Sequence, residues 1–196
     1  VLPDRRDLLD ALDRVPAGRV RVRAMRAGHR DGDARLADVE PAHPVMQRQP
    51  GARPSRFRLV GNPLDTTIGA ACLYFGGVLD RHPKLTVVLA HGGGFTPYQA
   101  ARWEHGWHVR PEPKKNIAKQ PVDIAKRFYY DTILHSAPVL EFMIEHVGAD
   151  RVMLGSDYPY DMGMMDCVKY VRGLKISDAD KATILSTRAQ ALLGKA

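Results

Sequence analysis

Two side chains of this 196-residue chain, His91 and Asp157, stand where a folded protein could do chemistry. His91 follows the apolar, β-prone run Leu85-Thr86-Val87-Val88-Leu89 through Ala90, and it opens onto Gly92, Gly93 and Gly94. Asp157 follows Arg151-Val152-Met153-Leu154-Gly155 through Ser156 and leads into Tyr158-Pro159. Each is a titratable group directly after a strand-like run, in a turn that contains glycine. In a parallel sheet all such ends lie on one face, so residues far apart in sequence converge there. An imidazole and a carboxylate in that position suit Zn²⁺ or Mn²⁺ as ligands, or form an acid/base pair beside such a metal. Taken singly, His91 could bond a backbone carbonyl and Asp157 could cap the next helix; their equivalent placement favours function.

The elements that must hold these groups follow from pattern. The run ending at His91 reads as a buried parallel strand, with Thr96 as cap and Pro97 at the first position of a helix through about Val109. Upstream, Gly61-Asn62-Pro63 reads as a turn, and Asp65-Thr66-Thr67 as the cap of a helix to about Leu79, with Ile68, Cys72, Leu73, Phe75 and Leu79 on its buried face. Downstream, Pro121 to Arg127 is a short helix and Phe128 to Thr132 a second strand ending in polar groups. Ser136 caps a helix over 137–147 that Gly148 stops. A third strand over 151–155 precedes helices over 161–172 and 178–193, the last capped by Ser177 and stopped by Gly194. Strand and helix alternating at this spacing mean parallel βα units.

Composition narrows the function class. Two cysteines without metal-type spacing, Cys72 and Cys167, point to ordinary packing in a reducing compartment. With no secretory signature and no apolar run long enough to span a bilayer, the expected setting is the cytoplasm, without a membrane partner. The net charge of +7 is uneven, because residues 1–58 hold 13 arginines against 8 acids. That segment has no Lys, Tyr or Trp, shows little periodicity, and is expected to be poorly ordered or foreign to the fold of 59–196. Without interleaved aromatics its arginines do not read as a nucleic-acid site.

The stretches GNPLDTT, FGGVLDRHPKLTVVLAHGGG, ARWEHGW, FYYDT and RVMLGSDYP, taken in this order, resemble the C-terminal half of the amidohydrolase-related family that contains aminocarboxymuconate semialdehyde decarboxylase and the resorcylate decarboxylases. The resemblance implies that 59–196 is the C-terminal portion of a metal-dependent (β/α)8 barrel, incomplete in this chain. It further implies one divalent metal, zinc or manganese, and non-oxidative decarboxylation of an aromatic or unsaturated carboxylic acid. By position, His91 is similar to the family's catalytic histidine and Asp157 to its metal-ligand aspartate. Arg102 is similar to an arginine that holds a substrate carboxylate, in some relatives within the neighbouring subunit's pocket, which would make the protein a homodimer. His43, in a His-Pro pair ahead of Gly61, is the counterpart of a further metal ligand.

The chain departs from that family in one respect that bears on activity: it contains no first-strand His-x-His or Glu-x-His motif. Two other readings therefore stand beside decarboxylation, namely metal-dependent hydrolysis of a lactone, amide or ester, and a non-catalytic fragment. Of the other histidines, His105 and His108 share a helix face and read as surface or subunit contact beside Trp103 and Trp107, while His135 follows the second strand's end and is expected at the edge of the pocket.

Overall fold

A computed structural model describes residues 59–117 and 119–194, together with the backbone at 21–22 and 57–58. Four parallel strands, β1 (Arg21–Val22), β2 (Thr86–Leu89), β3 (Tyr129–Asp131) and β4 (Val152–Met153), form one sheet in sequence order. Arg21 pairs with Thr86, Val88 with Tyr129, and Asp131 with Met153. Parallel neighbours need crossovers, and helices supply them after β2 and β3. These are α3 (Thr96–Val109) between β2 and β3, and α4 (Ala137–Val147) between β3 and β4. Apart from that backbone, the segment read as foreign, 1–58, lies outside the described residues.

The core lies between the sheet and its helices. Val87, Leu89, Tyr130 and Val152 from the strands meet Ala70, Ala100, Leu140, Met143, Val147, Val171 and Ile184 from the helices. The spacing of Leu140, Met143, Ile144 and Val147 puts all four on one stripe of α4, and all are buried. Removing a side chain of this size from water stabilises by about 1.5–3 kcal/mol. Gly148, at φ 96°, ends the helix. The expected bounds of α4 hold, although Ser136 makes no side-chain cap.

Three expected helix starts differ. The stretch read as a turn at Gly61-Asn62-Pro63 is already helical, because α1 runs over Asn62–Phe75 with Pro63 in its first turn. Pro needs no N–H partner there. Thr66 and Thr67, freed from capping, instead donate to the carbonyls of Asn62 and Pro63, four residues back. Helix α1 also stops short of Leu79: Gly77, at φ 69°, turns the chain, and a single turn, α2 (Val78–Arg81), buries Val78 and Leu79. At α3, Thr96 is itself the first helical residue, and its buried hydroxyl makes no hydrogen bond.

The C-terminal helices are shorter than their sequence pattern. α5 covers only Cys167–Arg172, since residues 156–166 form an irregular loop rather than a helix from 161. Ser177 does cap the next helix, accepting from Asp180 N at 3.1 Å and donating to the Asp180 carboxylate at 2.7 Å. That helix runs as α6 (Asp178–Ala182), a wide turn at Thr183–Thr187, and α7 (Arg188–Leu193), ended by Gly194 at φ 65°. Cys72 and Cys167 are not joined in a disulfide. Among the described residues no helix is long and apolar enough to cross a membrane.

Candidate active site at the strand ends

Each of the three strands β2, β3 and β4 ends in a turn with one non-glycine residue in the left-handed region: His91 at φ 58°, His135 at φ 55° and Asp157 at φ 54°. This conformation costs an L-residue roughly 1–2 kcal/mol. All three side chains line one cleft of about 330 Å³, whose other walls include Leu59, Pro63, Phe95, Tyr98, Ile133, Leu134 and Met162. The shared face inferred for His91 and Asp157 is therefore real, and β3 adds His135 to it.

The turn at His91 is held from three sides. Asp131, the last residue of β3, accepts hydrogen bonds from His91 N at 3.1 Å, Gly92 N at 2.7 Å and Ile133 N at 3.0 Å. Burial pushes the Asp131 carboxyl above the usual carboxylate range, and the Gly92, Ile133 and His91 N–H groups, with the His91 ring, pull it partly back. From α1, Thr67 Oγ1 accepts from Phe95 N at 2.8 Å while donating to Pro63 O. The glycines are required by contact. A Cβ at Gly93 would lie 2.5 Å from the Tyr130 ring, and one at Gly94 would strike the Pro63 carbonyl. Beneath them Tyr130 is fully buried and donates to Ala125 O.

The His91 ring is oriented by Thr66, whose Oγ1 lies 3.1 Å from Nδ1. The single Thr66 hydroxyl proton is directed to Asn62 O at 3.0 Å, so Oγ1 is an acceptor toward the ring. Nδ1 then carries the hydrogen, and Nε2 is left as the reactive nitrogen.

Asp157 is placed by its own loop. Tyr160 N donates to Asp157 O, and Met164 N donates to Ser156 O. Behind it, Thr132 Oγ1 accepts from Gly155 N at 3.1 Å and tethers the end of β4 to β3. Arg102 sits exposed on α3 and does not line this cleft, and His43 lies outside the described residues. His105 and His108 are exposed on α3, next to Trp107, whose indole donates to Ile117 O. Sequence reasoning did not single out Asp131, Thr66 or Thr67. The polar end of FYYDT was the signal for the first, but nothing local ties Thr66 and Thr67 to a histidine one strand away.

An imidazole and a carboxylate fit a divalent ion by donor chemistry. Among the described residues, however, no cluster of three or more His, Cys, Asp or Glu side chains could hold a metal. The described part of the cleft supplies donors without a full ligand set.

Parallel strands joined by helices, with a histidine and an aspartate in the turns after their carboxyl ends, define an α/β protein with its candidate site at the strand ends. The family profile described as Amidohydrolase matches residues 45–195, and the chain belongs to that family. It is 33% identical over 138 residues to the 2-amino-3-carboxymuconate-6-semialdehyde decarboxylase of Dictyostelium discoideum, an alignment covering 69% of this chain and 38% of the relative. Among solved structures, Metarhizium anisopliae IDCase superposes with a TM-score of 0.63 at 27% identity, covering 77% of this chain and 45% of that one. A dihydroxybenzoic acid decarboxylase from Polaromonas sp., solved with bound manganese and the inhibitor 2-nitroresorcinol, gives a TM-score of 0.60 at 26% identity, covering 75% and 48%. The chain thus spans less than half the length of the relatives it matches.

Proposed function

We propose that the protein is the strand-end portion of a metal-dependent, non-oxidative decarboxylase acting on an aromatic or unsaturated carboxylic acid. One observation carries the reading: His91 and Asp157, from the ends of different parallel strands, line one cleft whose remaining walls are mostly apolar and can receive a planar ring. The relationship to decarboxylases supports the substrate class. Hydrolysis draws no comparable support, since the Dictyostelium relative and the Polaromonas structure are both named decarboxylases. In this reading residues 59–196 are the C-terminal part of a (β/α)8 barrel, set off from 1–58.

Apolar side chains would hold the ring and exclude water from it. As the carboxylate leaves, the bond between it and the ring carbon breaks and the electron pair stays on that carbon. The carboxylate leaves as CO2, and His91, protonated on both nitrogens with Nδ1–H kept on Thr66, gives its Nε2 proton to that carbon; the neutral ring left behind regains a proton from solvent. A divalent metal, when bound, supplies positive charge toward the carboxylate. Asp157 would be one ligand and His43 a second, with zinc favoured by the donor chemistry and manganese by the Polaromonas structure. Arg102, exposed and outside the lining of its own cleft, would serve the neighbouring subunit of a homodimer. Two cysteines not joined in a disulfide fit the reducing cytoplasm.

Metal analysis of the purified protein tests this. Stoichiometric Zn or Mn in the wild type, lost in Asp157→Ala and kept in His91→Ala, is the expected result. A metal-free wild type sinks the reading in favour of a non-catalytic fragment.

A further inference from the structure

The cleft described above must, on the proposed reading, hold an anion, yet among the described residues no Lys or Arg lines it. Among the described residues its polar side chains are those of Asn62, His91, Tyr98, His135 and Asp157, and the Tyr98 hydroxyl is buried, whereas His135 is exposed. Asp157 is a carboxylate and repels another. His91 has one nitrogen committed to Thr66, and its other is the one that faces chemistry. Asn62 offers an amide. His135 is the second imidazole, exposed at the cleft, and no hydrogen bond or ion pair holds it among the described residues.

The backbone at His135 makes the same point independently. Its φ of 55° repeats, at the end of β3, the left-handed conformation of His91 and Asp157 at the ends of β2 and β4. Local interactions define the approach to it: Asp131 accepts from Ile133 N at 3.0 Å, and Leu134 N donates to Thr132 O at 3.0 Å. Glycine would occupy such a position without strain, whereas a histidine there is strained. A strained, exposed, uncommitted side chain beside two functional ones is the pattern of a residue kept for what it binds.

We propose that His135 is a substrate-binding residue: its imidazole N–H donates to the carboxylate of the aromatic acid and selects carboxylated rings over neutral ones. The proposal rests on the decarboxylase reading, because it needs an anionic aromatic ligand in this cleft. Geometry gives His135 this task in place of Arg102, which lies outside the cleft of its own chain.

The test is calorimetric titration of the full chain with 2,6-dihydroxybenzoate and, separately, with resorcinol, the same ring without the carboxylate. Wild type is expected to bind the acid at least tenfold more tightly. His135→Gly is expected to erase that preference while keeping its resorcinol affinity and a melting temperature no lower than wild type, since glycine relieves the left-handed backbone. Should His135→Gly melt earlier, His135→Asn, which tolerates that conformation with a shorter side chain, provides the same comparison. A wild type that binds both rings equally, or neither, overturns the decarboxylase reading and this proposal with it. A wild type that prefers the acid, with the preference intact in both variants, overturns the role of His135 alone.

Discussion

The turn after β2 and the loop after β4 deliver their functional side chains to the same cleft by opposite means. His91 is held from outside its own segment, by the Asp131 carboxylate of β3 on its backbone and by Thr66 of α1 on its ring, with Thr67 fixing the end of the turn. Asp157 is held mainly from within, by backbone bonds that close the loop on itself between Ser156 and Met164, and that loop exposes Tyr158 and Met165. An imidazole, whose ring orientation decides which nitrogen faces the cleft, is clamped by two other elements, β3 and α1, whereas a carboxylate, which accepts from many directions, is set by a local turn.

If the contrast is right, the largest loss of stability comes from Asp131→Ala. It leaves the N–H groups of His91, Gly92 and Ile133 without their acceptor, at about 3 kcal/mol or more in urea unfolding. Next is Gly93→Ala, where a methyl group meets the buried Tyr130 ring in a left-handed backbone; roughly 2–4 kcal/mol is expected in the same measurement.

A smaller effect is pH dependence. Because burial raises the Asp131 carboxyl, the folded protein binds its proton more tightly than the unfolded chain does. Its contribution to stability is therefore full at pH below the ordinary carboxylate range and declines as pH rises through the raised value. Melting curves across that window should fall more steeply for wild type than for Asp131→Ala, and equal slopes would remove Asp131 from the account.

Thr66→Val should cost about 1 kcal/mol or less. Its sharper consequence is for the ring, since ¹⁵N spectra of His91 should show Nδ1–H as the dominant neutral tautomer in wild type and a mixture in the variant. Least of all, Ser156→Ala in the self-closed loop should change stability by no more than about 0.5 kcal/mol, because the Ser156 hydroxyl makes only a 3.3 Å contact with Tyr158 N. A loss comparable to that at Asp131 would erase the distinction between the two regions.

Helix α4 and the strands were legible in the sequence because their signals are local: a stripe at helical spacing, β-branched runs, and glycine stops at Gly148 and Gly194. The helix starts at Thr96 and Thr66 misled because a threonine near a helical run has the same appearance whether its hydroxyl caps the helix, bonds four residues back as at Thr66, or is buried without a hydrogen bond as at Thr96. The expected helix from 161 to 172 failed for a related reason, since residues 156–166 follow the strand end and its self-closing turn rather than their own polarity.

By itself the sequence determined that His91 and Asp157 each follow the end of a parallel strand. Strand periodicity and glycine placement are properties of neighbouring residues, and parallel pairing puts every strand end on one face. Only the tertiary structure decided that Asp131 anchors the glycine turn, that Thr66 sets the ring of His91, that Arg102 is not among the residues lining the cleft and that His135 is. Those are relations between elements distant in sequence, fixed by how α1 and β3 pack around the end of β2, and no local pattern encodes them.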